Sequence, residues 1–119
     1  MYRFHVFFEN TLIGWTNLEV GDPPMGVAMG KFIATSKYVE IQPFVISATE
    51  RNEQFPSLTV RQADGTVLQS SAAIELLDYS PDLGHDGIEI SVFGITFPPY
   101  ELLFPEHVAA YEHQFPSGV

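Results

Sequence analysis

The sequence contains no cysteine, and its second half contains no lysine or arginine. The first absence excludes disulfide staples, thiolate metal sites and thiol nucleophiles. The second concentrates charge. Residues 62–119 hold nine acids and no Lys or Arg, whereas residues 1–61 hold all five basic residues (Arg3, Lys31, Lys37, Arg51, Arg61) against six acids. Nearly all of the net charge of −10 therefore comes from one half. Long apolar runs are also missing, and none approaches the roughly 18 residues that a membrane span needs. The opening "MYRFHVFF" lacks the basic stretch, long apolar core and small-residue cleavage site of a secretion signal. A cytoplasmic chain with no membrane contact is expected. Its acidic half repels nucleic acid and attracts a basic protein.

What is present suits one domain over residues 1–119. The apolar share is 45%, ten phenylalanines supply bulk, and a chain of this length buries roughly two-thirds of its unfolded surface. The stretch "GDPPMGVAMGKF" at 21–32 invites comparison with a phosphate-cradling loop. That loop needs glycine, four residues, then Gly-Lys-Ser/Thr, so that N–H groups ring the phosphate and the hydroxyl meets the metal. Only three residues separate Gly26 from Gly30-Lys31, and Phe32 replaces the hydroxyl. The stretch is better explained as an extended Asp22-Pro23-Pro24 turn leading into a strand, with Gly26 and Gly30 marking a bulge or close backbone approach.

Periodicity predicts an α+β fold, mainly a curved antiparallel meander with one or two short helices. In "YRFHVFF", Tyr2, Phe4, Val6 and Phe8 share a face, and "LIGWTNLE" can pair back as a hairpin. "TSKYVEIQP" predicts a short helix capped by Thr35 or Ser36 and ended by Pro43, after which "PFVISAT" returns to strand. "SLTVRQ" and "TVLQSS" flank Asp64-Gly65, a hairpin signal. "AAIELLDY" and "GIEISVFGI" predict two more strands joined by the polar loop "SPDLGHDG". Pro105 suits the start of a C-terminal helix, on which Phe104, Val108, Tyr111 and Phe115 form one apolar stripe.

Catalytic patterns are sparse. "DYSPDLGHDGIE" gathers Asp78, Asp82, His85, Asp86 and Glu89, so a metal-dependent enzyme or metal binder using Asp82, His85 and Asp86 is one alternative. The spacing fails the calcium-loop pattern, because Gly84 falls where an oxygen ligand is required. His107 and His113 are six apart, about 600° of helical rotation, so they cannot clasp one ion. Each is a surface histidine or a hydrogen-bonded residue at the core's margin. No nucleophile elbow occurs. The aromatics Tyr2, Trp15, Tyr79, Phe93 and Tyr100 can serve as interface anchors or as core.

The segments "GWTNLEVGDPPMGVAMGKF" and "YELLFPEHVAAYEHQFP" together resemble small bacterial immunity proteins of polymorphic-toxin and contact-dependent growth inhibition systems. The resemblance implies a protein that neutralises a toxin, and it transfers no site residue. It agrees with the charge, since a nuclease-type toxin needs a basic cleft that an acidic inhibitor can cover. The expectation is therefore an acidic protein-binding module, not an enzyme, with no cofactor or bound metal and a basic toxin domain as partner. Its expected contacts are Asp78, Asp82, Asp86 and Glu89 with Tyr79 as anchor, then Glu101 and Glu106. A nucleic-acid mimic is a further alternative. The oligomeric state is not fixed by the sequence.

Overall fold

A computed structural model describes residues 1–115. The chain begins with β1 (Phe4–Phe8), β2 (Thr11–Thr16), β3 (Val20–Asp22), β4 (Val27–Lys31) and β5 (Ile33–Ala34), then forms helix α1 (Gln42–Glu50). It continues through β6 (Leu58–Gln62), β7 (Gln69–Ser70), β8 (Ile74–Asp78), α2 (Ser80–Leu83), β9 (Ile88–Val92) and β10 (Ile95–Phe97), and closes with α3 (Tyr100–Leu103) and α4 (Pro105–Gln114). The fold is α+β. Two four-stranded antiparallel sheets have the orders β5-β2-β1-β6 and β3-β4-β9-β8, and β10 pairs with β7 in a third, two-stranded sheet.

Alternation along the strands builds the core. Phe4 and Val6 on β1 and Ile88, Ile90 and Val92 on β9 are all buried, and they belong to one apolar cluster with Tyr38, Val45, Leu76, Leu103 and Phe104. Each such side chain contributes roughly 1.5–3 kcal/mol of transfer free energy. The chain passes from the second sheet to the first at Phe32. There its N–H donates to the Ile88 carbonyl at 2.9 Å, and its ring fills the space where Gly14 lacks a side chain.

The Asp64-Gly65 turn forms as its residues demand. Gly65 has φ of 95°, Asp64 Oδ1 accepts the Thr66 N–H at 2.9 Å, and Gln62 N–H donates to the Thr66 carbonyl at 2.8 Å. The segment after Pro43 overturns the expected strand. Thr35 does cap a short 3₁₀ turn, Ser36–Glu40, by accepting the Lys37 N–H at 3.2 Å. Pro43 then stands in the first turn of α1 rather than ending a helix. A proline in the first turn sacrifices no hydrogen bond, because that N–H has no intrahelical partner. "FVISAT" has the β-branched content of a strand, but Val45 and Ala48 lie three apart and face the core together. The polar "SPDLGHDG" is likewise ordered, as α2 and a 3₁₀ turn over Gly84–Gly87.

Candidate protein-binding face

Asp78 sits at the end of β8 and is only 2% exposed. Its carboxylate accepts from the Tyr38 hydroxyl at 2.6 Å, Gln42 Nε2 at 3.2 Å and the Ser80 N–H at 2.8 Å. Burial acts to raise its pKa, but the donors from Ser80, Tyr38 and Gln42 outweigh that and hold it below the usual carboxylate range. Burial first, then the hydrogen bond and charge of Asp78, push Tyr38 far above the ordinary tyrosine value. Asp78 therefore ties 3₁₀ turn, α1, β8 and α2 together inside the protein. It cannot be the exposed contact expected of it, because the carboxylate is buried and its donors lie inside the protein.

The rest of that segment is outside. Tyr79 is 43% exposed and Leu83 66% exposed, with Asp82, His85, Asp86 and Glu89 also at the surface. The alternation of β9 explains Glu89, which points away from buried Ile88 and Ile90. Across the ladder Glu89 lies opposite Lys31, and Lys31 Nζ is 3.5 Å from Asp86 Oδ1. Glu19, Asp86, Glu89 and Lys31 share one small recess with the exposed apolar residues Val20 and Met29. His85 Nε2 lies 3.6 Å from Asp86. Among the described residues, no three His, Asp or Glu side chains are grouped to hold a metal ion, which leaves the Asp82–His85–Asp86 metal reading without support.

On the other side of Val20 lies a groove of about 580 Å³ between β3 and α4, within the roughly 300–1,000 Å³ typical of ligand sites. Glu19, Asp22 and Glu106 are its acids, Tyr111 and Phe115 its aromatics, and His107 part of its wall. Glu106 is in the first turn of α4 and accepts from Arg3 Nη1 at 2.7 Å. Slight burial acts to raise its pKa, but its own N–H at the helix start and the Arg3 guanidinium bring it below the ordinary range. Arg3 is itself held, with its carbon Cζ 5.2 Å from the Phe4 ring centre and 5.1 Å from that of Phe104. It also donates to the Leu103 carbonyl. Among the described residues Asp22 has no ion-pair partner within 4.0 Å. Burial first, then the charges of Asp22 and Glu106, raise the neighbouring Tyr100 hydroxyl to about 12.

His107 is 5% exposed, so of the two readings its sequence allowed, the hydrogen-bonded one holds. Its ring stacks on Phe104 at 4.5 Å with an interplanar angle of 2°. Its Nδ1 is 3.0 Å from the Tyr100 hydroxyl oxygen, and that hydroxyl donates to the Val27 carbonyl at 2.7 Å. The approach depends on Gly21, where a Cβ would overlap both the Tyr100 oxygen and the His107 ring.

Of the other expected contacts, Glu101 is exposed but lines a different recess, beside Pro23–Gly26 and Gly94–Thr96. Among the candidate anchors, Tyr100 is buried, Trp15 and Tyr2 stack on each other at 5.7 Å, and Phe93 is half-buried. The C-terminal stripe is broken at its end, since Phe115 is 61% exposed at the groove. Sequence reasoning missed Glu19 and Asp22. Both lie in the half whose charges nearly cancel, and only the placement of β3 against α4 brings them to Glu106. In comparisons with known proteins, no family model, curated protein or solved structure matches the chain.

Proposed function

We propose that the chain is an acidic protein-binding module, an immunity protein that docks on and neutralises a basic, nuclease-type toxin domain. One observation carries this reading. Two recesses share Glu19 and Val20 and together display Glu19, Asp22, Asp86, Glu89 and Glu106. Val20 is 58% exposed, and exposed Met29 lies beside it. An apolar centre with a charged rim is the usual anatomy of an interface, and the sign of the rim selects a cationic partner and speeds its approach. Tyr79, Asp82 and Leu83 are exposed on the α2 segment, close in sequence to Asp86 and Glu89.

The test is the association kinetics of this chain with the product of its adjacent gene, at low and high salt. The parent chain should associate fast at low salt and slow steeply as salt rises. Reversing Asp82, Asp86 and Glu89 to Lys should slow association and flatten the salt dependence. Kinetics unchanged by the reversal would remove these residues from the interface, and no association at any salt would remove the reading.

A further inference from the structure

We infer that the groove between β3 and α4 is the seat of a single arginine side chain from the basic partner. The inference rests on the acidic-module reading and names the chemistry that the module selects. It begins with a buried atom. Tyr100 has one hydroxyl proton, and the Val27 carbonyl takes it at 2.7 Å. The Nδ1 of His107, 3.0 Å from the same oxygen, must then carry a proton and donate it. In the neutral ring this leaves Nε2 as a bare lone pair. Nε2 is excluded from water and has no hydrogen-bond partner. Buried polar atoms left in this state are rare in folded proteins and ask for a partner.

The residues around the groove define that partner. A donor is required for Nε2, and Glu19 and Asp22, which have no ion-pair partner within 4.0 Å among the described residues, require positive charge. An ammonium satisfies both, but a guanidinium fits better. Its planar fork offers five N–H donors, so one group can reach an imidazole and a carboxylate together, and its flat face stacks on aromatic rings. Tyr111 and Phe115 supply such rings, 4.9 Å apart at the end of α4. The protein already holds one guanidinium by this chemistry, since Arg3 lies over Phe4 and Phe104 and pairs with Glu106. The groove repeats the combination of acid and aromatic, with Asp22 still unpaired among the described residues.

The experiment is a titration of the full chain with an acetyl-Gly-Arg-Gly-amide peptide, followed by proton–nitrogen NMR. The same peptide with citrulline serves as the neutral isostere. The expected result is a shift of the His107 Nε2 resonance and of the Gly21 and Ala110 amides with the arginine peptide alone. Binding should weaken at least fivefold in the Glu19→Gln/Asp22→Asn double variant, whose exposed positions spare the fold. Equal responses to citrulline, or full binding by the double variant, would overturn the inference. Shifts confined to the Asp82–Glu89 segment would overturn it too, while leaving the acidic-module reading standing. A chain that binds neither this peptide nor the product of its adjacent gene would fail both.

Discussion

The two recesses beside β3 carry similar numbers of carboxylates but differ in the cation that faces them. In the recess toward α2, Lys31 stands among Glu19, Asp86 and Glu89, with its side chain 60% exposed and 3.5 Å from Asp86. Its ammonium occupies the place that a partner's cation would take. In the groove toward α4, the nearby cation is Arg3. That guanidinium is bound to Glu106, the Leu103 carbonyl and two phenylalanine faces, so it cannot swing toward Asp22. A cation fixed by packing neutralises one carboxylate and leaves the others available, whereas a mobile one screens a whole cluster. Charge counted along the chain points to the first recess, and charge counted in space points to the second.

The largest expected effect breaks the comparison at its base. Asp78 anchors the segment that bears Asp82 and Asp86. Asp78→Ala should cost about 3 kcal/mol, because the buried Tyr38 hydroxyl and the half-buried donors of Gln42 and Ser80 lose their acceptor. Asp82→Ala should change stability by no more than about 0.5 kcal/mol. Urea unfolding of both variants measures the contrast. The pH dependence has a definite sign. The folded pKa of Asp78 is depressed, so its contribution is present above the unfolded carboxyl value near 3.9 and disappears as pH falls through the folded value. In Asp78→Asn the acid limb of the stability profile should flatten.

Next in size is Gly21→Ala. The new Cβ forces apart Tyr100 and His107, and overpacking of this kind costs about 1–3 kcal/mol. It should also abolish the arginine-peptide response of the groove while leaving the recess toward α2 untouched. A stability within error of the parent would show that the Tyr100–His107 contact is not what shapes the groove. The smallest effect sharpens the comparison from the other side. Lys31→Ala removes an exposed ion pair of about 0–1 kcal/mol. Stability should barely move, and the affinity of the recess for a cationic peptide should rise about twofold as Asp86 and Glu89 lose their screen. Isothermal titration before and after the change tests it.

The sequence disclosed more of the framework than of the face. Period-two alternation identified β1 and β9, because Val6, Ile90 and Val92 are buried on one side only. The Asp64-Gly65 turn was visible because its chemistry is local. α1 was not, since Val45 and Ile46 favour strand by propensity and only packing against β8 decides otherwise. Strand order also lay beyond local signals. β6 joins β1 and β9 joins β4 across long stretches of chain, and the second pairing brings Glu89 opposite Lys31 in the recess toward α2. Within the face, Asp86, Glu89 and Glu106 were marked by the cation-free second half. Asp78 was marked by the same reasoning and is buried, because charge density along a chain does not distinguish a solvated carboxylate from one satisfied by neutral donors. The roles of Glu19, Asp22 and Gly21 emerge only when β3 lies against α4.

The most direct measurement is the association rate of the basic partner with two neutralised variants of this chain under one set of conditions. One carries Glu19→Gln and Asp22→Asn, and the other carries Asp82→Asn and Asp86→Asn. The account predicts slower encounter for both, with faster dissociation confined to the first pair, because only the groove grips a cation after docking. Dissociation that changes equally in the two variants, or in neither, would contradict it.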